Sequence, residues 1–226
     1  MSHTPPTALT AAALLDLSHT LAAPLLARVT YPWEALQGLG EEIRRIGRGL
    51  QRDRYDEVSP EVWVAKSARV APTACILPPA VIGEGSEVRH CAFIRGNALV
   101  GENCVVGNST ELKNCVLFNG VQVPHYNYVG DSILGYRAHM GAGAVTSNVK
   151  GDQSCVSVRC DEGVVETERK KCGAMLGDGA EIGCHAVLNP GSVVGVMAQV
   201  YPLVSVRGLV PEGCICKSAG VTVRKK

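Results

Sequence analysis

The sequence predicts a mainly β protein in which short parallel strands stack into a coil, a parallel β-helix, behind a helical N-terminal segment. Three observations support this prediction. Apolar residues recur every six positions from Val64 to Phe118, a small residue stands four positions after most of them, and the pattern returns at Leu176. A period of six is not helical, because it would move the apolar row steadily round a helix surface. It suits short strands joined by tight corners.

Three such units close a coil of about eighteen residues, and coils stack at strand spacing, about 4.8 Å. The small residue fits a corner where neighbouring chain segments crowd. We therefore predict a β-helix over residues 64–226. Its apolar positions are Val64, Val70, Ile76, Ile82, Val88, Ile94, Val100, Val106, Leu112 and Phe118, then Leu176, Ile182, Leu188, Val194, Val200 and Val206.

Residues 1–63 lack the repeat and are predicted to be a helical cap. Gly38–Leu50 carries apolar residues at three- and four-residue spacing, which indicates an amphipathic helix, and a first helix is expected over residues 7–17. Residues 30–36 supply a turn with Tyr31 and Trp33, which we interpret as packing aromatics, with substrate contact as the alternative. We expect the cap to cover one end of the coil, where strand edges are otherwise unpaired.

The repeat is also lost at about 149–175, where a hairpin insertion is predicted. Two β-rich arms, 155–159 and 164–168, flank the turn Asp161-Glu162-Gly163. Excursions from a repeat scaffold often complete a ligand site. The sequence leaves the role of this loop open.

Composition excludes several classes of function. Among 226 residues the net charge is +1 and there is no long basic run before the last three residues, so neither nucleic acid nor an anionic membrane surface is expected as a partner. No apolar stretch approaches the length of a membrane span, and the N-terminus lacks the layout of a signal peptide. We expect a cytoplasmic protein.

The ten cysteines are expected to be free thiols. Several occupy repeat positions where a small apolar residue would serve, as Cys91, Cys104 and Cys115 do, and a reducing cytosol keeps thiols reduced. A zinc site from Cys155, Cys160 and Cys172 is disfavoured, because their spacing matches no common zinc pattern. No metal is predicted.

Two cations are predicted to stack on one outer corner of the coil. Arg95 and Lys113 are eighteen residues apart, and each follows an inward aliphatic residue. Cations this close repel unless an anion lies between them, and a phosphate suits that position. The alternative, two solvated charges paired with Glu111, is equally open on this argument.

The stretch "PHYNYVGDS" (124–132) gathers polar and aromatic side chains where the repeat slips. The next aliphatic position is Val129, so one hexad has lost a residue, and a slip re-aims side chains as a bulge does. Gly107 lies eighteen residues before His125 and is expected to leave space beneath it. A lone histidine is more often structural than catalytic, but this one has Tyr126, Asn127, Tyr128 and Asp131 beside it.

Three segments resemble one family. "GNSTELKNC" (107–115), "HYNYVGDS" (125–132) and "MGAGAVTSNVKG" (140–151) are similar, in the same order, to motifs of the hexapeptide-repeat acetyltransferase half of the bifunctional enzyme that makes UDP-N-acetylglucosamine. The resemblance covers about 64–206. It implies a left-handed parallel β-helix, acetyl-CoA as cofactor and a phosphorylated amino sugar such as glucosamine-1-phosphate as acceptor.

Carried over by position, the resemblance implies a role for each candidate residue. His125 is the general base, Arg95 and Lys113 bind phosphate, and Tyr128 contacts phosphate or sugar. Asn148 and His139 lie near the sugar, Lys171 matches a further phosphate-binding lysine, and Ala142 and Cys184 hold acetyl-CoA. These implied site residues are Arg95, Lys113, His125, Tyr128, His139, Ala142, Asn148, Lys171 and Cys184.

Some positions depart from the family pattern. The nucleotidyltransferase half is not seen, His139 replaces an asparagine, Cys184 replaces a serine, and Pro202 stands where a small residue is expected. These departures concern the acceptor more than the chemistry. An acyltransferase for another sugar or nucleotide-sugar acceptor, and a non-catalytic sugar-phosphate-binding β-helix, remain alternatives.

The implied reaction needs a base and a site between subunits. Histidine ordinarily titrates near pH 6.5 and can take the proton of an amine, whereas a covalent route through Cys184 is the weaker alternative. A homotrimer is expected, because the base and the phosphate corner lie on different faces of one coil and neighbouring subunits would unite them.

Overall fold

Short parallel strands stacked in coils make up most of the protein, which confirms the predicted β-helix. The computed structural model describes residues 6–225. Before the insertion the strands are β1 (Tyr55–Ser59), β2 (Val62–Ala65), β3 (Arg69–Val70), β4 (Cys75–Ile76), β5 (Ala80–Ile82), β6 (Glu87–Val88), β7 (Phe93–Ile94), β8 (Ala98–Val100), β9 (Val105–Asn108), β10 (Glu111–Leu117), β11 (Gln122–His125), β12 (Tyr128–Leu134), β13 (His139–Met140) and β14 (Val145–Thr146).

The remaining strands belong to the insertion and the later coils. They are β15 (Ser157–Cys160) and β16 (Gly163–Glu166) in the insertion, then β17 (Ala174–Leu176), β18 (Glu181–Ile182), β19 (Val187–Leu188), β20 (Ser192–Val194), β21 (Gln199–Val200), β22 (Ser205–Val206), β23 (Leu209–Val210), β24 (Cys214–Ser218) and β25 (Val221–Arg224).

Three faces result from this stacking. The first face runs through β2, β5, β8, the ends of β10 and β12, then β17, β20 and β23. The second face runs through β3, β6, β9, β11, β13, β18, β21 and β24. The third face contains β4, β7, the starts of β10 and β12, β14, β19 and β22.

The predicted apolar row faces the interior of the coil. Val88, Ile94, Val106 and Leu112 are each at most 1% exposed. Small residues fill the corners, and Thr110 there also donates a hydrogen bond from Oγ1 to the carbonyl oxygen of Val123 at 2.9 Å. Aliphatic residues inside and small ones at the bends therefore explain why this sequence coils with a period of six.

The register slips earlier than the sequence suggested. Ile94 pairs with Leu112, eighteen residues later, but Leu99 pairs with Val116, seventeen residues later. Leu117, not Phe118, is consequently in register with Val100. The residue is lost at the corner after Leu112, not in the hexad that contains His125.

A left-handed residue explains the shortened corner. Asn114 adopts φ 49° and turns the chain, and Asp131 repeats this conformation at φ 48° in the next coil. Both strands, β10 and β12, therefore continue round the bend from the third face to the first. Asparagine and aspartate tolerate this region better than most residues with a side chain.

Helices lie where the N-terminal cap was predicted, but they run along the side of the coil. The α-helices are α1 (Ala11–Leu14), α2 (Ala23–Leu26) and α3 (Leu39–Gly49), with 3₁₀ turns at Thr7–Leu9, Leu17–His19 and Pro32–Gln37. The single helix expected over 7–17 is therefore broken, and α3 contacts β5, β8 and β10 of the first face instead of an end of the coil.

The first face explains this position. Its outward side chains Val81, Leu99, Val116 and Ile133 are apolar and at most 1% exposed, so they need a cover. The helical segment provides it, and Trp33 is buried as the packing interpretation expected. The end of the coil is covered by β1, a strand antiparallel to β2 within the predicted cap.

The insertion forms the predicted hairpin, with β15 antiparallel to β16. It lies against the coil and does not project freely, because Val156 and Val158 are fully buried. Glycines admit this approach: a Cβ on Gly191 would meet the carbonyl oxygen of Ser157 at 2.7 Å, and one on Gly208 would meet that of Arg159 at 2.6 Å.

Candidate active site

The candidate residues divide between two corners of the coil. The corner between the second and third faces holds His125, Ala142 and Cys184, and we call it the His125 corner. The corner between the third and first faces holds Lys113 and Asp131, and we call it the Lys113 corner. The third face, which carries Tyr128 on its outer side, separates them.

The residues of the His125 corner form one column along successive coils. The backbone N–H of Gly143 donates to the carbonyl oxygen of His125 at 3.0 Å, and that of His185 donates to Ala142 at 2.8 Å. In the next coil the backbone N–H of Leu203 donates to the carbonyl oxygen of Cys184 at 3.0 Å. The predicted base and both predicted cofactor residues therefore occupy equivalent positions in three consecutive coils.

Asn127 fixes the local shape of this corner. Its side chain is 2% exposed, donates from Nδ2 to the carbonyl oxygens of Gly141 and Ala144 at 2.8 and 3.0 Å, and accepts from the N–H of His125 at 3.1 Å. The His125 side chain itself is exposed, and it makes no hydrogen bond to any residue between 6 and 225. Asn127 is thus structural, and His125 is available to a ligand.

Gly107 does not create the space that the sequence suggested beneath His125. Because the coil has seventeen residues here, His125 pairs with Asn108, and Gly107 lies against Pro124. A Cβ on Gly107 would overlap the carbonyl group of Pro124. The glycine is needed for backbone packing, so this part of the argument for a ligand was wrong.

The Lys113 corner is organised around Asp131. This carboxylate is 2% exposed and accepts from Lys113 Nζ at 3.0 Å, Asn114 Nδ2 at 2.7 Å and Asn148 Nδ2 at 2.5 Å. Asn148 Nδ2 also lies 3.2 Å from the Tyr128 hydroxyl. Three side chains therefore hydrogen-bond to one buried carboxylate, and Tyr128 is linked to it through Asn148.

Arg95 lies at the same corner in the preceding coil but pairs with a different carboxylate. Its Nη1 lies 2.7 Å from Glu111 Oε1, which is the pairing that the sequence left open. Ile94 pairs with Leu112, so the residues that follow them, Arg95 and Lys113, stack as predicted. Neither cation is unpaired, so their stacking alone does not require a bound anion.

Burial raises the pKa of the Tyr128 phenol, and the carboxylates of Asp131 and Glu111 raise it further. The hydroxyl therefore keeps its proton at neutral pH and can donate it in a hydrogen bond. A neutral donor beside Lys113 and Asn148 suits contact with an oxygen-rich ligand.

Two implied residues lie apart from this cluster. His139 is on the second face, where its Nδ1 is 2.9 Å from Glu181 Oε2, and one chain does not bring it to Asn148. Lys171 lies in the insertion and lines a cavity that Asp131 also lines.

Cys155 is exposed and Cys172 is buried, and within residues 6–225 no cluster of three metal-ligating side chains forms.

The sequence placed Asp131 among the polar neighbours of His125 without giving it a role, and it did not single out Asn114. The available signal was their residue type at the shortened corner, since Asn and Asp favour the left-handed conformation that a tight bend needs. Their contact with Lys113 depends on the seventeen-residue register, which the pattern of six concealed.

None of the helices within 6–225 is long and apolar enough to cross a bilayer.

Comparison with known proteins gives similarities over different parts of the chain. Residues 85–175 match the family model described as the GMPPB C-terminal domain. The bifunctional protein GlmU of Methanococcus maripaludis is 36% identical over 104 residues, which are 46% of this chain but 25% of that protein. The chain thus matches about a quarter of the length of this relative.

A second relative matches more completely. The uncharacterized acetyltransferase YaiX of Escherichia coli is 31% identical over 158 residues, covering 70% of this chain and 69% of that protein. A hexapeptide transferase family protein from Anaplasma phagocytophilum shows a TM-score of 0.42 at 18% identity, with 73% of this chain and 80% of that chain covered. The extent of the YaiX match, on a coil of hexapeptide repeats, shows that this protein belongs to the hexapeptide-repeat, left-handed β-helix acyltransferase family.

Proposed function

We propose that this protein transfers the acetyl group of acetyl-CoA to the amine of a phosphorylated amino sugar such as glucosamine-1-phosphate. The observation that supports it most is the division of the candidate residues. His125, Ala142 and Cys184 line one edge of the third face, and Lys113, Tyr128 and Asn148 line the other. We call the His125 corner, in this role, the cofactor edge and the Lys113 corner the acceptor edge. In a homotrimer the cofactor edge of one subunit would meet the acceptor edge of its neighbour.

The cofactor edge offers donors that the fold does not use. The backbone N–H groups of Ala142 and Cys184 have no acceptor among residues 6–225. Both positions are at least partly exposed, so they can bind carbonyl groups of an extended acyl carrier. Acetyl-CoA would supply an activated thioester there, and donors directed at its oxygen would favour acyl transfer.

His125 suits the role of general base. Its exposed imidazole has no partner within residues 6–225, while Asn127 holds its backbone. An ammonium group must lose a proton before it can attack a thioester, and a neutral imidazole within hydrogen-bond reach can accept that proton. The covalent alternative through Cys184 is not needed for this step.

The acceptor edge suits a phosphate next to a sugar. Lys113 Nζ carries three N–H donors and Asp131 occupies part of this capacity, so donors remain for a phosphate oxygen. Arg95 likewise keeps donors beyond its contact with Glu111. Tyr128 and Asn148 then face the sugar hydroxyls.

The difference in cover between the first and third faces of the coil supports the proposed trimer. The helical segment covers the first face, whereas residues 6–225 leave the third face uncovered, and this face carries Phe93, Tyr128 and Val187 on its outer side. A bare face with apolar residues between the two candidate edges is suited to contact between copies of the chain. The free thiols at all ten cysteine positions suit a cytoplasmic location, which is part of this proposal.

An acetylation assay over a panel of acceptors tests the proposal. Release of the CoA thiol is followed with glucosamine-1-phosphate, unphosphorylated glucosamine and a nucleotide-linked amino sugar. Phosphorylated acceptors should be preferred, and Arg95→Ala/Lys113→Ala should reduce that preference by about tenfold or more, since each charged hydrogen bond contributes roughly 1.5–3 kcal/mol. Arg48→Ala, an exposed cation on α3, is the matched control. Failure of every amino sugar to react would reject the proposal and leave a non-catalytic binding protein.

A further inference from the structure

A cavity of about 600 Å³ lies between the helical segment and the insertion. Its lining comes from Tyr31, Trp33, Glu34 and Gln37 on one side and from residues 166–171 on the other, with Asp131 beneath. Neither contributing segment is part of the hexapeptide coil. The volume is in the range of pockets that hold small-molecule ligands and exceeds what a phosphate alone would fill.

One wall presents an aromatic ring. Tyr31 stacks on Trp33 with the ring centroids 4.5 Å apart and the planes 9° from parallel. Trp33 is 1% exposed while Tyr31 is partly exposed, so Tyr31 is the member of the pair that a ligand would meet. The carboxylate of Glu34 accepts from the N–H groups of Thr30 and Tyr31 at 2.9 and 3.0 Å, which fixes this wall.

The opposite wall carries three consecutive cations. Arg169, Lys170 and Lys171 line the cavity, and within the described residues none lies within 4.0 Å of a carboxylate. Thr167 positions this arm, because its Oγ1 donates to the carbonyl oxygen of Val156 at 2.6 Å and accepts from the N–H of Arg169 at 3.2 Å. The cavity therefore combines unpaired positive charge with an accessible aromatic ring.

Carboxylates also line the cavity, and they are of two kinds. Glu34 and Asp131 accept hydrogen bonds from protein groups, as described above, so their charge is partly satisfied. Glu166 and Glu168 are exposed and make no ion pair within residues 6–225. Asp131 is paired with Lys113, so three cations face the three carboxylates Glu34, Glu166 and Glu168. The positive charge is concentrated on the wall formed by Arg169, Lys170 and Lys171, and an anionic ligand would bind there.

Asp131 connects this cavity to the acceptor edge, because it lines the cavity and also accepts from Lys113 at 3.0 Å. We propose that the cavity binds the nucleoside diphosphate part of the acceptor, which would make the acceptor a nucleotide-linked amino sugar. The planar base would stack on Tyr31, and the phosphates would lie along Arg169–Lys171. This inference rests on the proposed function and names its substrate class.

Calorimetric titration of the full-length protein with uridine diphosphate tests the cavity directly. Uridine diphosphate should bind at least about tenfold more tightly than either pyrophosphate or uridine, because only the diphosphate nucleoside engages both walls. Arg169→Ala/Lys170→Ala should weaken this binding by about tenfold or more, since charged hydrogen bonds are lost, and Arg48→Ala should not. Tyr31→Ala should weaken it similarly, and circular dichroism would confirm that this variant is folded.

Three outcomes would overturn the inference. The first is that neither uridine diphosphate nor guanosine diphosphate binds. The second is that pyrophosphate binds as tightly as the nucleotide, and the third is that CoA displaces uridine diphosphate. Lys170 is exposed and Arg169 is partly exposed, so Arg169→Ala/Lys170→Ala keeps the test decisive even if Tyr31→Ala does not fold.

The acetylation assay separates this inference from the proposed function. If the protein acetylates glucosamine-1-phosphate but binds no nucleoside diphosphate, the inference fails and the function stands. If it binds the nucleotide but acetylates no amino sugar, the proposed function fails, and the assignment of the cavity to an acceptor fails with it. With both correct, Arg169→Ala/Lys170→Ala lowers kcat/KM for the nucleotide-linked acceptor by about tenfold or more and leaves that for the monophosphate nearly unchanged.

Discussion

Lys113 and Asp131 form an ion pair across neighbouring coils, with Nζ 3.0 Å from Oδ2. Asp131 is 2% exposed and Lys113 follows an inward leucine, so the pair stands where the interior of the coil meets its outer corner. The same carboxylate holds Asn114 and Asn148. Asp131 thereby positions the groups that we assign to the acceptor without needing to touch it.

Asp131→Asn tests this positioning role. The amide keeps the shape and tolerates the left-handed backbone, but it removes the charge and directs N–H donors at other donors. We expect KM for the phosphorylated acceptor to rise about tenfold or more with a smaller change in kcat, and the free energy of unfolding to fall by about 1–3 kcal/mol. Steady-state kinetics and denaturant unfolding measure both, with exposed Asp152→Asn as control. Unchanged KM would reject the role.

His125→Ala tests the general base. We expect kcat to fall by roughly 10²–10⁴ while the fold and acetyl-CoA binding persist, because the side chain is exposed and supports no packing. The wild-type rate should fall as the medium becomes acid enough to protonate histidine, and the variant should lose that dependence. His139 and His185 are the rival candidates for the base, so His139→Ala and His185→Ala belong in the same series and should keep the pH dependence. Near-wild-type turnover of His125→Ala would refute the mechanism.

Subunit mixing tests whether the active site lies between chains. His125→Ala should be nearly inactive, and Lys113→Ala should keep at most about a tenth of the activity with a phosphorylated acceptor below KM. Random mixed trimers should nevertheless recover about a quarter of the wild-type activity, because each site takes one residue from each neighbour. Light scattering at assay concentration should show trimers. A monomer at that concentration, or no recovery after confirmed subunit exchange, would contradict the shared site.

Thiol labelling tests the state of the cysteines. In denatured, unreduced protein nearly all ten should react. In the native protein exposed Cys75, Cys91, Cys155 and Cys184 should react first. Burial raises the pKa of Cys104, Cys115 and Cys172 to about 12, so these thiols carry almost no thiolate at pH 8 and should react only on unfolding. Protected pairs in the denatured protein would indicate disulfides.

The sequence predicted the coil because its interior row is nearly uninterrupted, but it misplaced the slip. Leu117 and Phe118 are both buried and apolar, so the pattern could not decide which of them continues the row. The choice depends on the conformation of Asn114, which periodicity does not report. The prediction that Gly107 lies directly beneath His125 was wrong for the same reason.

The position of the helical segment was missed although a signal was present. Strands of the first face are apolar at consecutive positions, as in "AVI" at 80–82 and "ALV" at 98–100, whereas the second face alternates. Strands apolar on both sides are typical of sheets covered on both faces. Reading the outward positions as well as the inward row would have predicted a lateral cover.

That lateral cover changes how the coil is expected to unfold. An array of coils touches only its neighbours and can open one coil at a time from either end. Here α3 contacts β5, β8 and β10, while the carboxylate of Asp178 accepts from the N–H groups of Asp16 and Tyr136 at 2.7 and 2.6 Å. The helical segment therefore joins coils along their length into one cooperative unit. The last coils, from β21 onward, lie beyond this tie, and in native-state hydrogen exchange they should open first.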